Sequence, residues 1–273
     1  MAADPVRPRV MGIVNVTPDS FSDGGRFLGA ERAVAHARLL LAQGADMLDI
    51  GGESTRPGAA PVPAEEEIAR VLPIVRAIRA DSTVPISIDT MKPQVMRAAA
   101  AEGADVWNDV TALGFAPDSL QVAAELGCEV MLMHMQGEPR TMQDNPVYGD
   151  VVAEVCQFLD DRARAAMAAG VRREAIWVDP GIGFGKTLEH NLQLLANLDR
   201  LKALGFKTVL GVSRKRFLKA IDKTAEEAVD RLGGSLAGAI VGAEAGMDAV
   251  RVHDVRETVQ ALTTWGLVQA RRP

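Results

Sequence analysis

Six times along this chain a helical stretch closes on a glycine, and a short apolar or β-branched run begins within a residue or so. The punctuation stands at Gln43-Gly44-Ala45-Asp46, Glu102-Gly103-Ala104-Asp105, Leu126-Gly127-Cys128-Glu129, Ala169-Gly170-Val171, Leu204-Gly205-Phe206 and Ala245-Gly246-Met247-Asp248. Glycine suits the left-handed residue past a helix end, and the runs that follow have the length of buried strands. Read this way, strands fall at 10–14, 47–50, 85–89, 105–109, 130–134, 175–179, 208–212 and 249–253. Helices fall at 30–43, 65–80, 93–102, 119–126, 151–169, 188–204, 225–245 and 256–270. The sixth is marked by Leu188, Leu192, Leu195, Leu198, Leu201 and Leu204 at helical spacing.

Eight strand–helix units whose strands are apolar on both faces predict an α/β chain closed into a single (β/α)₈ TIM barrel, with an open doubly wound sheet as the runner-up. The 273 residues fit the roughly 250 typical of such a barrel. No break in composition marks a second domain, so residues 1–273 are expected to form one domain with a core over about 10–270.

Net charge is −6, without a Lys/Arg-rich block outside the 271–272 tail, and aromatics are only 4%. Both observations argue against a nucleic-acid partner. The first nine residues lack the apolar core of a signal peptide, and the most apolar helix candidate, 236–246, is too short to span a bilayer. A cytoplasmic protein without membrane contact is expected. Cys128 and Cys156 have no ligand-spaced partners and read as small buried hydrophobes of a reduced chain.

Strands buried on both faces should be apolar to their ends, yet these terminate in Asn15, Glu53, Asp89, Asn108, His134, Asp179, Ser213, Arg251 and His253. In a barrel all such ends share one mouth, where active sites sit. Helix capping explains any one of them, but convergence of nine does not reduce to capping. Asp89, Asn108 and Asp179 offer acceptors suited to a ring that carries an N–H beside an NH₂, as in a guanine-like or pterin pyrimidinone. Lys215, Arg251 and His253 supply the charge and donors that a diphosphate requires. Asn15 offers an oxygen to Mg²⁺, an ion that keeps waters and takes phosphate oxygens besides. Two long loops, 15–29 and 51–62, follow the first two strands and read as lids over the site.

One motif misleads. The run Asp179-Pro180-Gly181-Ile182-Gly183-Phe184-Gly185-Lys186-Thr187 ends in G-K-T, but it has three residues where a Walker A loop needs four. Its glycines instead permit close backbone approach to a flat ligand beside Phe184. His36 and His190 lie in helical context and read as surface or groove residues; there is no H-E-x-x-H and no Cys/His cluster.

Gly12-Ile13-Val14-Asn15-Val16-Thr17-Pro18-Asp19-Ser20-Phe21-Ser22-Asp23-Gly24-Gly25 resembles the first signature of the dihydropteroate synthases, a family of pterin-binding barrels, and Asp49-Ile50-Gly51-Gly52-Glu53-Ser54-Thr55-Arg56-Pro57-Gly58-Ala59 resembles the second. Further matches run in order through Ser87-Ile88-Asp89-Thr90, Asn108-Asp109-Val110, Met133-His134-Met135-Gln136-Gly137, the 179–186 segment, Ser213-Arg214-Lys215 and Arg251-Val252-His253-Asp254-Val255. The resemblance implies a Mg²⁺-using, dimeric transferase of folate biosynthesis and a sulfonamide target. Such an enzyme joins 6-hydroxymethyl-7,8-dihydropterin pyrophosphate to p-aminobenzoate and releases 7,8-dihydropteroate and pyrophosphate. Carried over residue by residue, it implies that Asp179 and Asn108 meet the 2-amino pyrimidinone edge, Lys215 the O4/N5 side, and Asp89 the far ring nitrogen. It implies that Asn15, Arg251 and His253 hold the pyrophosphate and its Mg²⁺. Thr55, Arg56, Pro57, Phe184 and Ser213, with Phe21 and Asp19, would form the p-aminobenzoate pocket. It places the dimer surface near the small-residue stretch 233–246, which internal packing explains equally well.

Two rivals remain at this stage. A pterin-binding methyltransferase barrel would share the pocket Asp and Asn residues but needs neither lid loops nor a pyrophosphate grip. A non-catalytic paralogue would bind without condensing, and turnover separates it from an enzyme.

Overall fold

The computed structural model describes residues 7–16, 25–54, 60–138 and 141–272. Eight parallel strands close on themselves in sequence order: β1 Arg9–Asn15, β2 Met47–Gly51, β3 Ile86–Asp89, β4 Val106–Asp109, β5 Glu129–Met133, β6 Ile176–Asp179, β7 Lys207–Leu210 and β8 Ala249–Val252. The ring closes where β1 pairs with β8, Met11 opposite Arg251. The expected (β/α)₈ barrel is therefore the fold. All six punctuating glycines take positive φ, from 62° at Gly127 to 112° at Gly170, so the repeat in the sequence is a repeat of helix-terminating geometry.

Alternation along each strand sorts the side chains into two populations. Val10, Leu48, Ile86, Ile88, Trp107, Val130, Val178 and Val250 belong to the large core between the sheet and its helices. The opposite faces carry Met11, Met47, Val106, Met131, Trp177, Val209 and Ala249, a separate buried cluster that fills the barrel interior. Moving two residues toward the C-terminal end along these inward faces gives Asp49, Asn108, Asp179 and Arg251, with Asp89 level with them on β3. The barrel is plugged below and polar above.

The helical layer comprises α1 Gly25–Ala42, α2 Ala64–Arg79, α3 Pro93–Ala101, α4 Ser119–Leu126, α5 Val151–Ala169, α6 Leu188–Ala196, α7 Leu198–Lys202, α8 Phe217–Ile221, α9 Leu232–Glu244 and α10 Val255–Gln269. It departs from expectation in four places, one of them the added helix α8. α1 begins five residues early. The leucine-rich sixth helix breaks at Asn197, whose backbone leaves the helical region (φ −130°, ψ 35°) while its side chain donates to the Gln193 carbonyl at 2.8 Å. Leu192 of the expected stripe is exposed, and Leu194 takes the buried place. The helix expected from 225 starts only at Leu232, because Arg231 donates to the carbonyls of Ala225, Glu226 and Arg214 and holds that segment outside the helix. The glycines of α9 face the barrel: a Cβ on Gly238 would meet Val212 at 2.6 Å, and one on Gly242 would meet Leu210 at 2.9 Å. Internal packing thus accounts for much of the small-residue stretch. No helix among the described residues is long and apolar enough to cross a membrane.

Candidate active site at the barrel mouth

The floor of the mouth is an ionic lattice around Arg251. Its Nε donates to Asp49 Oδ2 at 2.6 Å and its Nη2 to Asp89 Oδ2 at 2.7 Å. Asp49, wholly buried, also accepts from Ser87 Oγ at 2.6 Å and from Asn108 Nδ2 at 3.2 and 3.3 Å. An ionised carboxylate only accepts, so Asp49 fixes which way the Asn108 amide turns: nitrogen down, oxygen toward the mouth. Burial pushes the Asp89 carboxyl up; Arg251 pulls it down, and Asp49, Glu67 and Asp109 push it up further, to about 7. Burial works against the Arg251 charge, but Asp49 and Asp89 outweigh it and hold its pKa above the ordinary arginine range.

One wall is the segment after β6. Asp179 Oδ1 accepts the Gly181 N–H at 2.7 Å. Burial raises the Asp179 pKa, with Lys215 and that N–H opposing. The segment lies so close to the end of β5 that only glycine fits. A Cβ on Gly181 would stand 1.9 Å from the His134 carbonyl oxygen, and one on Gly185 would stand 2.3 Å from that of Gln136. Asn191 accepts the Gly183 N–H at 2.7 Å, and Tyr148 donates to the Gly185 carbonyl at 2.8 Å. Lys215 donates to the Ile182 carbonyl and lies 4.8 Å from the centre of the Phe184 ring. Burial depresses the Lys215 pKa, Asp179 raises it and Arg251 lowers it, to about 8.

The G-K-T lysine is spent on the same segment. Lys186 is buried, and its Nζ reaches the Gly181 and Phe184 carbonyls at 3.0 Å and His134 Nδ1 at 2.9 Å. It ties a turn together and is not presented to a phosphate. Burial, then Lys215, depress its pKa to about 7, while burial and Lys186 depress that of His134 to about 3. His190 serves as the third residue of a capping box with Thr187 at the start of α6.

Beside it, past the ends of β7 and β8, Ser213 Oγ accepts the His253 N–H at 3.1 Å and lies 3.0 Å from His253 Nδ1. The hydroxyl proton is then free to point at Nδ1, which favours the tautomer protonated on Nε2. Asn15, half-buried at the end of β1, makes no side-chain hydrogen bond to a described residue.

Of the nine polar strand ends, Asn15, Asp89, Asn108, Asp179, Ser213, Arg251 and His253 gather at the mouth. His134 and Glu53 do not. His134 falls on the outward face of β5 and packs edge-on against Phe158 at 4.9 Å, and Glu53 is held by Lys92. Asp19, Phe21, Thr55, Arg56 and Pro57 lie outside the described residues. The expectation missed Asp49, the hub of the lattice. Its signal was present: a charged residue two positions past a barrel-plugging methionine, in a strand with no exposed face.

The described residues contain no group of three His, Cys, Asp or Glu able to hold a metal. A single neutral amide oxygen, that of Asn15, suits an ion that arrives on substrate phosphates and keeps its waters better than a resident metal.

Both the sequence and the barrel fold match known proteins. The model of the family described as pterin binding enzyme matches residues 11–253. The chain is 48% identical over 255 residues to dihydropteroate synthase of Escherichia coli (strain K12), covering 93% of this chain and 89% of that protein. Dihydropteroate synthase of Xanthomonas albilineans with 4-aminobenzoic acid superposes with a TM-score of 0.91 at 52% identity, covering 97% of this chain and 94% of that one. The structure of that enzyme in complex with 7,8-dihydropteroate gives 0.88 at 48% identity, covering 97% and 95%. The chain belongs to the pterin-binding enzymes and, among them, to the dihydropteroate synthases.

Proposed function

We propose that this chain condenses 6-hydroxymethyl-7,8-dihydropterin pyrophosphate with p-aminobenzoate by breaking the C–O bond before the C–N bond forms. The observation that carries this reading is the pairing, in one mouth, of inward-facing acceptors with two half-buried cations. Asp179 has one oxygen committed to Gly181, which leaves the other for the N–H edge of the pyrimidinone. Asn108 presents its oxygen beside it, since its nitrogen is engaged by Asp49. Lys215 meets the O4/N5 side. Asp89 faces the far ring nitrogen, where a carboxylate stabilises positive charge as it develops.

The pyrophosphate oxygen leaves with the bonding electron pair, received by Arg251 and His253. Arg251 still has its Nη1 hydrogens, which bond no described residue. Asn15 would hold the Mg²⁺ that accompanies the pyrophosphate, and the ion would supply neutralisation of the leaving group. The amine of p-aminobenzoate then attacks the methylene to form the C–N bond, and its extra proton passes to solvent. Phe184 and Ser213, with Asp19, Phe21, Thr55, Arg56 and Pro57 of the two loops, take p-aminobenzoate. An aniline is a weak nucleophile and a pterin cation delocalises its charge, so preorganised charge does most of the catalytic work and no covalent enzyme intermediate is needed.

A homodimer fits the apolar surface beside α9: Val229, Val241, Leu267 and Val268 are exposed although they are branched aliphatics on or next to packed helices. Sedimentation is expected to give a dimer at micromolar concentration. The decisive assay follows pyrophosphate release with Mg²⁺, with and without p-aminobenzoate. Release that depends on p-aminobenzoate, with dihydropteroate in equal amount, is expected; pterin binding without turnover would instead indicate a non-catalytic barrel.

A further inference from the structure

Glu53, Glu67 and Lys92 form a buried ionic cluster that the proposed chemistry does not use. Lys92 Nζ donates to Glu67 Oε2 at 2.6 Å and to Glu53 Oε2. Glu67 has no exposed surface, the side chains of Glu53 and Lys92 are each 11% exposed, and Glu67 Oε1 has no hydrogen-bond partner among the described residues. Two carboxylates on one ammonium leave the interior with an uncompensated negative charge. Burying such a group gains little stability over apolar residues of the same shape. Its placement says more.

Glu53 stands near the start of the second loop, and its other oxygen accepts the N–H of Val62 at 3.2 Å, at the far end of that loop. Arg70 of α2 donates to the neighbouring Gly52 carbonyl at 2.6 Å, and Glu67 packs so tightly on Gly52 that a Cβ there would stand 2.9 Å from its Cγ. Lys92 lies three residues past Asp89, at the start of α3. One side chain therefore joins the two ends of the loop, and one lysine ties that joint to the strand end that carries Asp89.

We infer that Glu53 and Lys92 are positioning residues that hold both ends of the second loop in register with the pterin floor, and so set the affinity for p-aminobenzoate and not that for the pterin. This rests on the proposed role of that loop in taking p-aminobenzoate. A loop with its ends tied forfeits less freedom when its ligand binds.

Glu53→Gln is the informative variant. The amide has a single acceptor oxygen, so it cannot serve both Lys92 and Val62, while the Lys92–Glu67 pair survives to keep the core neutral. The expected result is a rise of about tenfold in KM for p-aminobenzoate, the size of one hydrogen bond to a charged group. The kcat, and the Kd for pterin pyrophosphate measured calorimetrically without p-aminobenzoate, should stay at wild-type values. Val62→Pro removes the N–H that Glu53 accepts and leaves the ion cluster intact; it should give the same selective rise, and it carries the test if Glu53→Gln does not fold. An unchanged KM in both variants, or an equal loss of pterin affinity, would overturn the inference. Absence of turnover by the wild-type chain would instead sink the synthase reading on which it rests.

Discussion

Gly181 is where the site's geometry is most exposed to test. Its φ is +65°, and a Cβ there would stand 1.9 Å from the His134 carbonyl oxygen, against a closest real approach of 3.0 Å. Gly181→Ala therefore costs two things together. The left-handed backbone costs alanine about 1–2 kcal/mol. Opening the contact needs a backbone movement of about 1 Å, which breaks the bond from the Gly181 N–H to the Asp179 carboxylate; a hydrogen bond to a charged group contributes about 1.5–3 kcal/mol. The sum is about 2.5–5 kcal/mol. Gly246 separates the two costs: its φ is +72°, but nothing lies within 4 Å of an added Cβ. Gly246→Ala should lose only the backbone part, about 1–2 kcal/mol. Urea unfolding of both variants measures the difference, read as a shift in midpoint at constant slope. Turnover supplies a second reading, since a displacement of about 1 Å near Asp179 and Phe184 is worth about a hundredfold in kcat/KM, while Gly246→Ala should leave the rate intact. Equal destabilisation of the two variants, or wild-type turnover by Gly181→Ala, would refute the reasoning.

The pH profile of kcat/KM for pterin pyrophosphate should be bell-shaped, with an acid limb near the Asp89 value of about 7 and an alkaline limb near the Lys215 value of about 8. Stability runs the other way. The raised Asp89 pKa favours the fold at acid pH, a contribution lost as pH rises through about 7, and the depressed Lys215 pKa contributes stability at alkaline pH that is lost as pH falls through about 8. Because the Asp49 charge helps to raise Asp89, Asp49→Asn should move the acid limb to lower pH; an unmoved limb would detach Asp89 from that titration. Asp89→Asn should lower kcat far more than pterin affinity, and equal small losses in single-turnover and binding assays would remove the carboxylate from charge stabilisation. Chelation of Mg²⁺ should stop pyrophosphate release yet leave the binding of 6-hydroxymethyl-7,8-dihydropterin, which has no pyrophosphate, unchanged by calorimetry.

The barrel was legible because its signal is repetitive and local. Gly44, Gly103, Gly127, Gly170, Gly205 and Gly246 each end a helix in a conformation that favours glycine, and the same event recurring along one chain leaves few folds to choose from. What escaped depends on single side chains. The break at Asn197 comes from one amide bonded to the preceding turn, and the late start of α9 from one arginine that gathers three carbonyls. Neither disturbs the hydrophobic period on which the helices were read. The site was legible at strand ends, where a polar residue interrupts an apolar run, but position along the strand does not tell which way a side chain turns. His134 follows Met133 and so faces the helices, where it meets Lys186, while Asp49, one turn of the alternation deeper than the strand end, faces the mouth.

Inward parity also explains why Asp49 belongs to the chemistry without needing to touch a ligand. The inward face holds three carboxyl groups, Asp49, Asp89 and Asp179, against two cations, Arg251 and Lys215. With all five ionised, the mouth carries one excess negative charge. A neutral dihydropterin gains little from that excess, whereas a pterin that has lost its pyrophosphate and become cationic gains the full interaction in a buried, weakly screened site. Asp49 makes the balance possible: by taking Nε of Arg251 it divides the guanidinium between two acids, so that Asp89 is not fully neutralised by its partner. Removing the Asp49 charge would hand Arg251 to Asp89 alone and bring the mouth to neutrality. In the proposed route, Asp49→Asn should then slow bond cleavage while the ground-state pterin still binds, because what is lost is preference for the cation and not the pocket's grip on the ring.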